Sequence, residues 1–185
     1  MEMKSSVRRV SVAEYHKMAE TGMLPERGIE LINGEIIDMS PIGSKHAAMV
    51  DRLNQLLSRQ LDDQFIVRIQ NPILADGFSE PEPDIAVVYY RDDFYENEHP
   101  KGADSLLIIE VGDSSAAFDR DVKLPLYAAS GVPECWLIDL AGQVIYTFRA
   151  PDGNTYQLSG RIDKGEIANA SYLDLAIDTR QIFRK

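Results

Sequence analysis

Cysteine is almost absent from this chain, and long apolar runs are absent altogether. The only cysteine among the 185 residues is Cys135, so no disulfide can form within the chain, which suits a reducing compartment. No stretch approaches the roughly 18 consecutive apolar residues of a transmembrane helix, and the polar N-terminal segment lacks the apolar core of a signal peptide. We therefore expect a cytoplasmic protein without a membrane-spanning part, with Cys135 buried in the segment CWLID.

Positive charge is also scarce. There are 19 lysines and arginines against 30 aspartates and glutamates, which gives a formal net charge of −11. This balance argues against nucleic-acid binding through a broad basic surface. It does not exclude an enzyme that binds phosphates through a metal ion, because the charge of the ion then dominates locally. No glycine-rich phosphate loop is present, and neither Cys135 nor the three histidines stand in a setting typical of nucleophilic catalysis.

Turn and periodicity signals define the order of the elements. Ser11 and Glu14 form a capping box that begins a short helix, Asn33-Gly34 predicts a β-hairpin, and apolar residues at helical spacing predict a long helix after Gly43. Strands are predicted at FIVRIQNPILA (broken at Pro72), DIAVVYY, SLLIIEV, ECWLIDL and QVIYTFR. A second helix is predicted from about 117 to 130, and the tail is predicted to hold short strand-like pieces and a helical turn. Without repeats or linkers, we expect one domain over residues 1–185 of α/β or α+β class, with a mixed sheet flanked by helices.

One apolar strand ends on a carboxylate, which is costly to bury without a partner. Glu110 closes the run LLIIE, and Asp84 opens the strand before it. If the two strands pair antiparallel with Tyr89 opposite Ser105, Asp84 falls opposite Glu110, with Cβ atoms about 5 Å apart. A divalent cation held by oxygen ligands would relieve the repulsion between them. The alternative is a turn aspartate and a solvated strand end, both of which are common.

The helix after Glu110 adds a positive charge. Asp119, Lys123 and Tyr127 are spaced at i, i+4 and i+8 and therefore share one helix face. Asp119 and Lys123 could be an ordinary surface pair worth a few tenths of a kcal/mol. Alternatively, the lysine points at the two carboxylates and completes the set of groups that phosphodiester hydrolysis needs.

These residues carry a family resemblance. The segments EPEPDIAVVY, LLIIEVGDSSAAFDRDVKLPLYAASGVPECWLIDL and IELINGEIIDMSPIGSKH together resemble the Uma family of restriction endonuclease-like proteins, which belongs to the PD-(D/E)xK nuclease superfamily. The resemblance spans about residues 14–140. It implies a restriction endonuclease-like fold in which Pro83-Asp84 is the PD element, Glu110 is the second acid, and both bind Mg²⁺ or Mn²⁺.

The sequence departs from the superfamily pattern at one position. The lysine expected two residues after the second acid is Gly112 here, so the resemblance points to Lys123 as its migrated substitute. It further implies that Glu30 is an additional acid of the site. Gln70 resembles a polar residue of the site's edge, although a surface strand residue is an equally good interpretation. His46 is interpreted as a surface or capping histidine.

Two functional hypotheses follow from different classes. The first is a divalent-metal-dependent DNA endonuclease that acts through Asp84, Glu110, Lys123 and Glu30; by analogy with its superfamily it would be a homodimer. The second is a nuclease-like fold that works as a binding or assembly module without turnover, which the missing lysine and the net charge favour. A glycosidase with two carboxylates ranks last, because the lysine and the placement of the carboxylates at strand ends suit a phosphate better than a sugar.

Overall fold

The N-terminal part begins with a capped helix and a hairpin. The structure, a computed structural model, describes residues 8–25, 27–112 and 116–184. Helix α1 (Val12–Glu20) has the predicted capping box, in which the Ser11 hydroxyl accepts from the Glu14 amide and the Glu14 carboxylate accepts from the Ser11 amide. Strands β1 (Ile29–Ile32) and β2 (Glu35–Asp38) pair antiparallel. Their turn places Asn33 and Gly34 at positive φ, as a two-residue type I′ turn requires.

A mixed six-stranded sheet forms the centre of the protein, and the fold is the predicted one of a mixed sheet with flanking helices. Helix α2 (Ser44–Gln60) precedes the sheet. The strands follow the chain order from one edge to the other, and every neighbouring pair is antiparallel except the third strand of the sheet with the fourth. They are β3 (Phe65–Ile69), β4 (Ile85–Tyr89), β5 (Ser105–Gly112), β6 (Glu134–Asp139), β7 (Val144–Asp152) and β8 (Thr155–Asp163).

A helical crossover connects the two parallel strands. Parallel neighbours need such a connection because a tight turn cannot join them. The crossover consists of α3 (Ala116–Phe118), a π-helical turn (Asp119–Lys123) and α4 (Leu124–Ala129), and a 3₁₀ turn (Gly102–Asp104) leads into β5. The predicted second helix is therefore present, but its middle is wound more widely than an α-helix.

The sheet buries apolar side chains on both faces. Alternate residues of a strand point to opposite faces, so Leu107, Ile109 and Val111 pack with α2 on one face, while Ile108 packs with α4 on the other. Glu110 has the parity of Ile108. Its carboxylate therefore lies on the α4 side of the sheet, which is the side that the crossover helix covers.

The tail is more regular than its sequence indicates. The predicted short strand pieces include β8, a nine-residue edge strand, and are followed by a small pair formed by β9 (Ile167–Asn169) and β10 (Ala176–Asp178). The predicted helical turn is α5 (Thr179–Ile182). Among the described residues no helix has the length and apolar character needed to cross a bilayer.

Candidate functional site

The two predicted acids meet where β4 begins and β5 ends. Ile85 pairs with Ile109, and one residue further the Asp84 amide donates to Glu110 Oε2 at 3.2 Å. Asp84 Oδ2 in turn accepts from the Val111 amide at 2.9 Å. The register is therefore the predicted one at this end of the ladder.

The same register is lost at the other end of the ladder. Val88, and not Tyr89, stands opposite Ser105, because a bulge shifts the pairing between Val87 and Val88. The predicted pairing of Tyr89 with Ser105 is therefore wrong. The bulge lies beyond Val87, several residues from Asp84, and does not disturb the contact between the two acids.

Glu110 is held by groups from the crossover helix. Its side chain is 4% exposed; the Tyr127 hydroxyl donates to Oε1 at 2.5 Å, and Lys123 Nζ lies 3.5 Å from the same oxygen. Burial raises the pKa of Glu110 to about 8, against the opposing effect of the Lys123 ammonium, and the Asp84 carboxylate raises it further. The carboxyl group is thus costly to ionise unless additional positive charge is present.

Lys123 points inward, and its nearer partner is Glu30. Lys123 Nζ lies 3.0 Å from Glu30 Oε2, with both side chains buried. Burial lowers the pKa of the lysine, but the carboxylates of Glu110 and Glu30 outweigh burial and the net direction is upward. The lysine at this position is therefore a permanent cation between two acids, so the surface-pair alternative does not describe it.

Helix periodicity explains how Lys123 and Tyr127 converge. Four residues separate them, so they lie on one side of the crossover helix, and Asp119, the third member of the predicted stripe, is also buried. The π turn from Asp119 to Lys123 adds a residue to that turn, which a sequence pattern of i, i+4, i+8 does not detect.

Gln70 and His46 approach Asp84 from two sides. The Gln70 amide donates to the Asp84 carbonyl at 3.1 Å, and its side chain reaches Oδ1 at a long 3.4 Å. His46 Nε2 lies 2.9 Å from Asp84 Oδ2. The interpretation of His46 as a surface or capping residue is therefore wrong.

Helix periodicity in the sequence indicates that His46 lies on the buried side of α2. His46 precedes Met49, Val50, Leu53 and Leu57, the buried residues of α2, at the same helical spacing. It therefore continues their stripe at the N-terminal end of the helix. A histidine on the buried side of a helix that begins near an acid is a candidate partner of that acid.

Negative charge exceeds positive charge around this site. Five carboxylates interact electrostatically with one another or with Lys123, namely those of Glu30, Glu82, Asp84, Asp119 and Glu110. Burial raises the pKa of Glu82, and the Glu30 carboxylate raises it further. Glu82 also donates its amide to Glu30 Oε2 at 3.2 Å. Hard oxygen donors with an unbalanced negative charge fit Mg²⁺ or Mn²⁺. Asp84, whose side chain is 14% exposed, is the acid of the central pair that solvent reaches.

Comparisons with known proteins agree with this architecture. A search of the curated proteins finds no match. Among solved structures, a putative nuclease belonging to DUF820 from Anabaena variabilis ATCC 29413 superposes with a TM-score of 0.65 at 22% identity, over 94% of this chain and 97% of that one, which shows a shared fold. Residues 12–178 match the Uma2 family. The chain therefore belongs to the Uma2 family, which is described as "Putative restriction endonuclease".

Proposed function

We propose that this chain is a divalent-metal-dependent DNA endonuclease, that residues 1–185 form one domain, and that the protein works in the cytoplasm. The observation that carries the proposal is the partly buried hydrogen bond from the Asp84 amide to the Glu110 carboxylate, with an excess of acids around it. The family description and the shared nuclease fold support a nuclease. Paired carboxylates at a strand end are the arrangement that a nuclease needs to hold a cation against a scissile phosphate.

Asp84 and Glu110 would hold the cation, either Mg²⁺ or Mn²⁺. A divalent cation supplies Lewis acidity to the phosphodiester and makes water a stronger acid. The chain's own residues prepare the site for it: the Tyr127 hydroxyl and Lys123 fix Glu110 Oε1, which keeps Oε2 directed at the Asp84 amide. Asp84, partly open to solvent, would be the first contact for an incoming cation.

Lys123 takes the electrostatic role of the lysine that Gly112 replaces. It is nearly buried and lies between Glu30 and Glu110, so it acts mainly by orienting these carboxylates and offsetting their charge. Its persistent ammonium also offsets charge that develops on a phosphate nearby. His46 would orient Asp84, and Gln70 would mark the edge of the site. The proposal includes a homodimer, which would bring two such sites to the two strands of a duplex.

The test is DNA cleavage by the purified protein. Wild type and Glu110→Gln are incubated with supercoiled plasmid and with single-stranded DNA, each with Mg²⁺, Mn²⁺ or EDTA. We expect metal-dependent cleavage by the wild type and its loss in Glu110→Gln, whereas Glu98→Gln, at an exposed acid, retains it. Circular dichroism verifies that the variants are folded.

Two other results would count against the proposal. Equal cleavage by wild type and Glu110→Gln would identify a contaminant. Absence of cleavage in both, together with specific retention of a partner or nucleic acid, would favour the binding-module hypothesis. Light scattering of the same samples measures the mass of the particle and tests the homodimer.

A further inference from the structure

A second group of metal-ligating side chains lies outside the candidate site. His16, Glu80 and His99 each offer one ligand atom, and these atoms all lie within 4.8 Å of one another. Among the described residues no other group of three or more histidine, cysteine, aspartate and glutamate side chains meets this spacing. The acids of the candidate site do not form such a group.

Three separate parts of the chain bring these side chains together. His16 lies on α1, which is tied to a loop by the Val12 amide donating to the Gly77 carbonyl at 3.0 Å. Glu80 bridges to β1 through its own amide, which donates to the Leu31 carbonyl at 2.7 Å. His99 precedes Pro100, whose carbonyl accepts from the Leu74 amide at 2.8 Å. Each ligand therefore comes from a backbone segment that is already fixed.

The charge of Glu80 needs a cation. Its side chain is 4% exposed, and both of its oxygens lie 2.9 Å from His16 Nε2. A buried carboxylate is costly unless a positive partner compensates it. A bound dication would supply that charge while the two histidines act as nitrogen donors.

The second histidine stands next to the first. The His99 ring lies edge-on to the His16 ring, with 6.2 Å between centroids. A neutral imidazole offers one ring nitrogen as a metal donor, so each histidine can supply one ligand atom. With 46% of the His16 side chain exposed, one side of the cluster stays open for water or another ligand.

We propose that His16, Glu80 and His99 form a second metal site, selective for a transition-metal dication such as Zn²⁺. Two imidazole nitrogens and one carboxylate oxygen are a ligand set that Zn²⁺ binds and that Mg²⁺ does not prefer. Tetrahedral coordination with bonds of about 2.0–2.1 Å separates ligand atoms by about 3.3 Å. The 2.9 Å contact between His16 and Glu80 would widen slightly, and the exposed His16 has room to allow it.

The site would stabilise the fold beside the candidate nuclease site. It would clamp α1 to the segment Glu80–Asp84 and to the loop that carries His99. The proposal does not depend on nuclease activity, because its ligands, its metal class and its position differ from those of Asp84 and Glu110.

Metal binding by the full-length protein tests the proposal. After treatment with a chelator, the protein is titrated with Zn²⁺ in excess Mg²⁺, and with Co²⁺ as a spectroscopic probe. We expect one Zn²⁺ per chain, a rise in melting temperature on binding, and the intense visible bands of four-coordinate Co²⁺. Both His16→Ala and His99→Ala should weaken Zn²⁺ binding by about 100-fold or more, since loss of an outer-shell partner alone costs roughly 10–100-fold.

The His46→Ala variant is the matched control, because it removes an imidazole that contacts Asp84 instead of Glu80. The proposed site is supported if His46→Ala keeps the Zn²⁺ affinity of the wild type while His16→Ala, at an exposed residue, loses it. The opposite pattern would place the ion at Asp84 and overturn the proposal, as would absence of Zn²⁺ binding by the folded wild type.

Discussion

Two clusters of ionisable groups lie at either end of the five-residue segment Glu80–Asp84, and they differ in how their negative charge is compensated. The cluster around Glu110 is buried and composed of oxygen donors, and the Lys123 ammonium supplies positive charge within it. The cluster around Glu80 is open on one side and relies on two imidazoles. The first is therefore suited to a hard cation held by oxygen, and the second to a borderline cation held by nitrogen.

The comparison shows why one segment can serve two sites. The acids at positions 80, 82 and 84 alternate with prolines at 81 and 83, which favour an extended backbone. Each acid therefore contacts a different set of neighbouring residues. The surroundings of each acid, and not its own chemistry, decide which cation it would bind.

Removing the Lys123 ammonium should produce the largest effect on stability. Lys123→Met leaves Glu30 and Glu110 buried without their ammonium, and we expect a loss of about 3–5 kcal/mol in the free energy of unfolding. Urea denaturation measures it. The exposed Lys164→Met is the control, with a change within about 0.5 kcal/mol; a loss in Lys123→Met no larger than in this control would show that Lys123 does not compensate the buried acids around Glu110.

The next largest effect should be a pH dependence of stability that comes from Glu110, in the buried cluster. Glu110 has a folded pKa of about 8, above the value of about 4.3 for an unfolded chain. Between these values the folded state binds the extra proton, so its stability falls as pH rises through this window, by a few kcal/mol in total.

Comparison of wild type with Glu110→Gln isolates this contribution from other titrating groups. The difference in free energy of unfolding between the two proteins, measured at pH 5.5 and pH 8 in EDTA, should move in favour of Glu110→Gln at the higher pH. A difference that does not vary with pH would show that Glu110 is ionised throughout. Mn²⁺ should restore wild-type stability at pH 8, since it binds the ionised form.

The variant His46→Ala tests the contact between His46 and Asp84. Because His46 contacts an acid that is proposed to hold the metal, its removal should weaken Mn²⁺ affinity or cleavage by about 10–100-fold. Cleavage rate as a function of Mn²⁺ concentration measures this. Lys45→Ala, at the exposed neighbouring residue, should match wild type; a wild-type response from His46→Ala would remove the histidine from the site.

The smallest expected effect concerns α1. Ser11→Ala removes the N-cap of the helix that carries His16 and should cost about 1 kcal/mol of stability. If α1 presents His16 to Glu80, Zn²⁺ affinity should fall by a few-fold in this variant, while cleavage with Mg²⁺ should not change. Titration calorimetry measures the first and plasmid cleavage the second. A fall in cleavage without a change in Zn²⁺ affinity would contradict the assignment of α1 to the histidine cluster.

Local signals predicted most of the fold. The capping box at Ser11, the Asn33-Gly34 hairpin and the apolar run before Glu110 each specify structure over a few residues, and the structure has them. Strand β8 was harder, because an exposed edge strand lacks the apolar alternation that identifies a half-buried one. The bulge after Val87 depends on packing across the sheet, which the sequence of one strand does not encode.

The candidate site was predictable where the regular geometry of a strand pair or of a helix relates its residues. The antiparallel register brings Asp84 to Glu110, and helix periodicity links Lys123 to Tyr127. By contrast, no strand register or helix periodicity relates His16 and His99 to Glu80. Neither histidine stands in a motif, so only the tertiary fold shows that they meet.

The alternating prolines also restrict how this segment can change over evolutionary time. The amides of Glu80, Glu82 and Asp84 donate to the Leu31 carbonyl, Glu30 and Glu110 respectively, and the intervening prolines have no amide hydrogen to donate. A shift of one residue would place a proline at two of these three donor positions and lose the bonds made there, and it would move all three acids away from their partners. The segment can therefore accept exchanges of side chains, but an insertion or deletion of a single residue would disconnect both clusters at once.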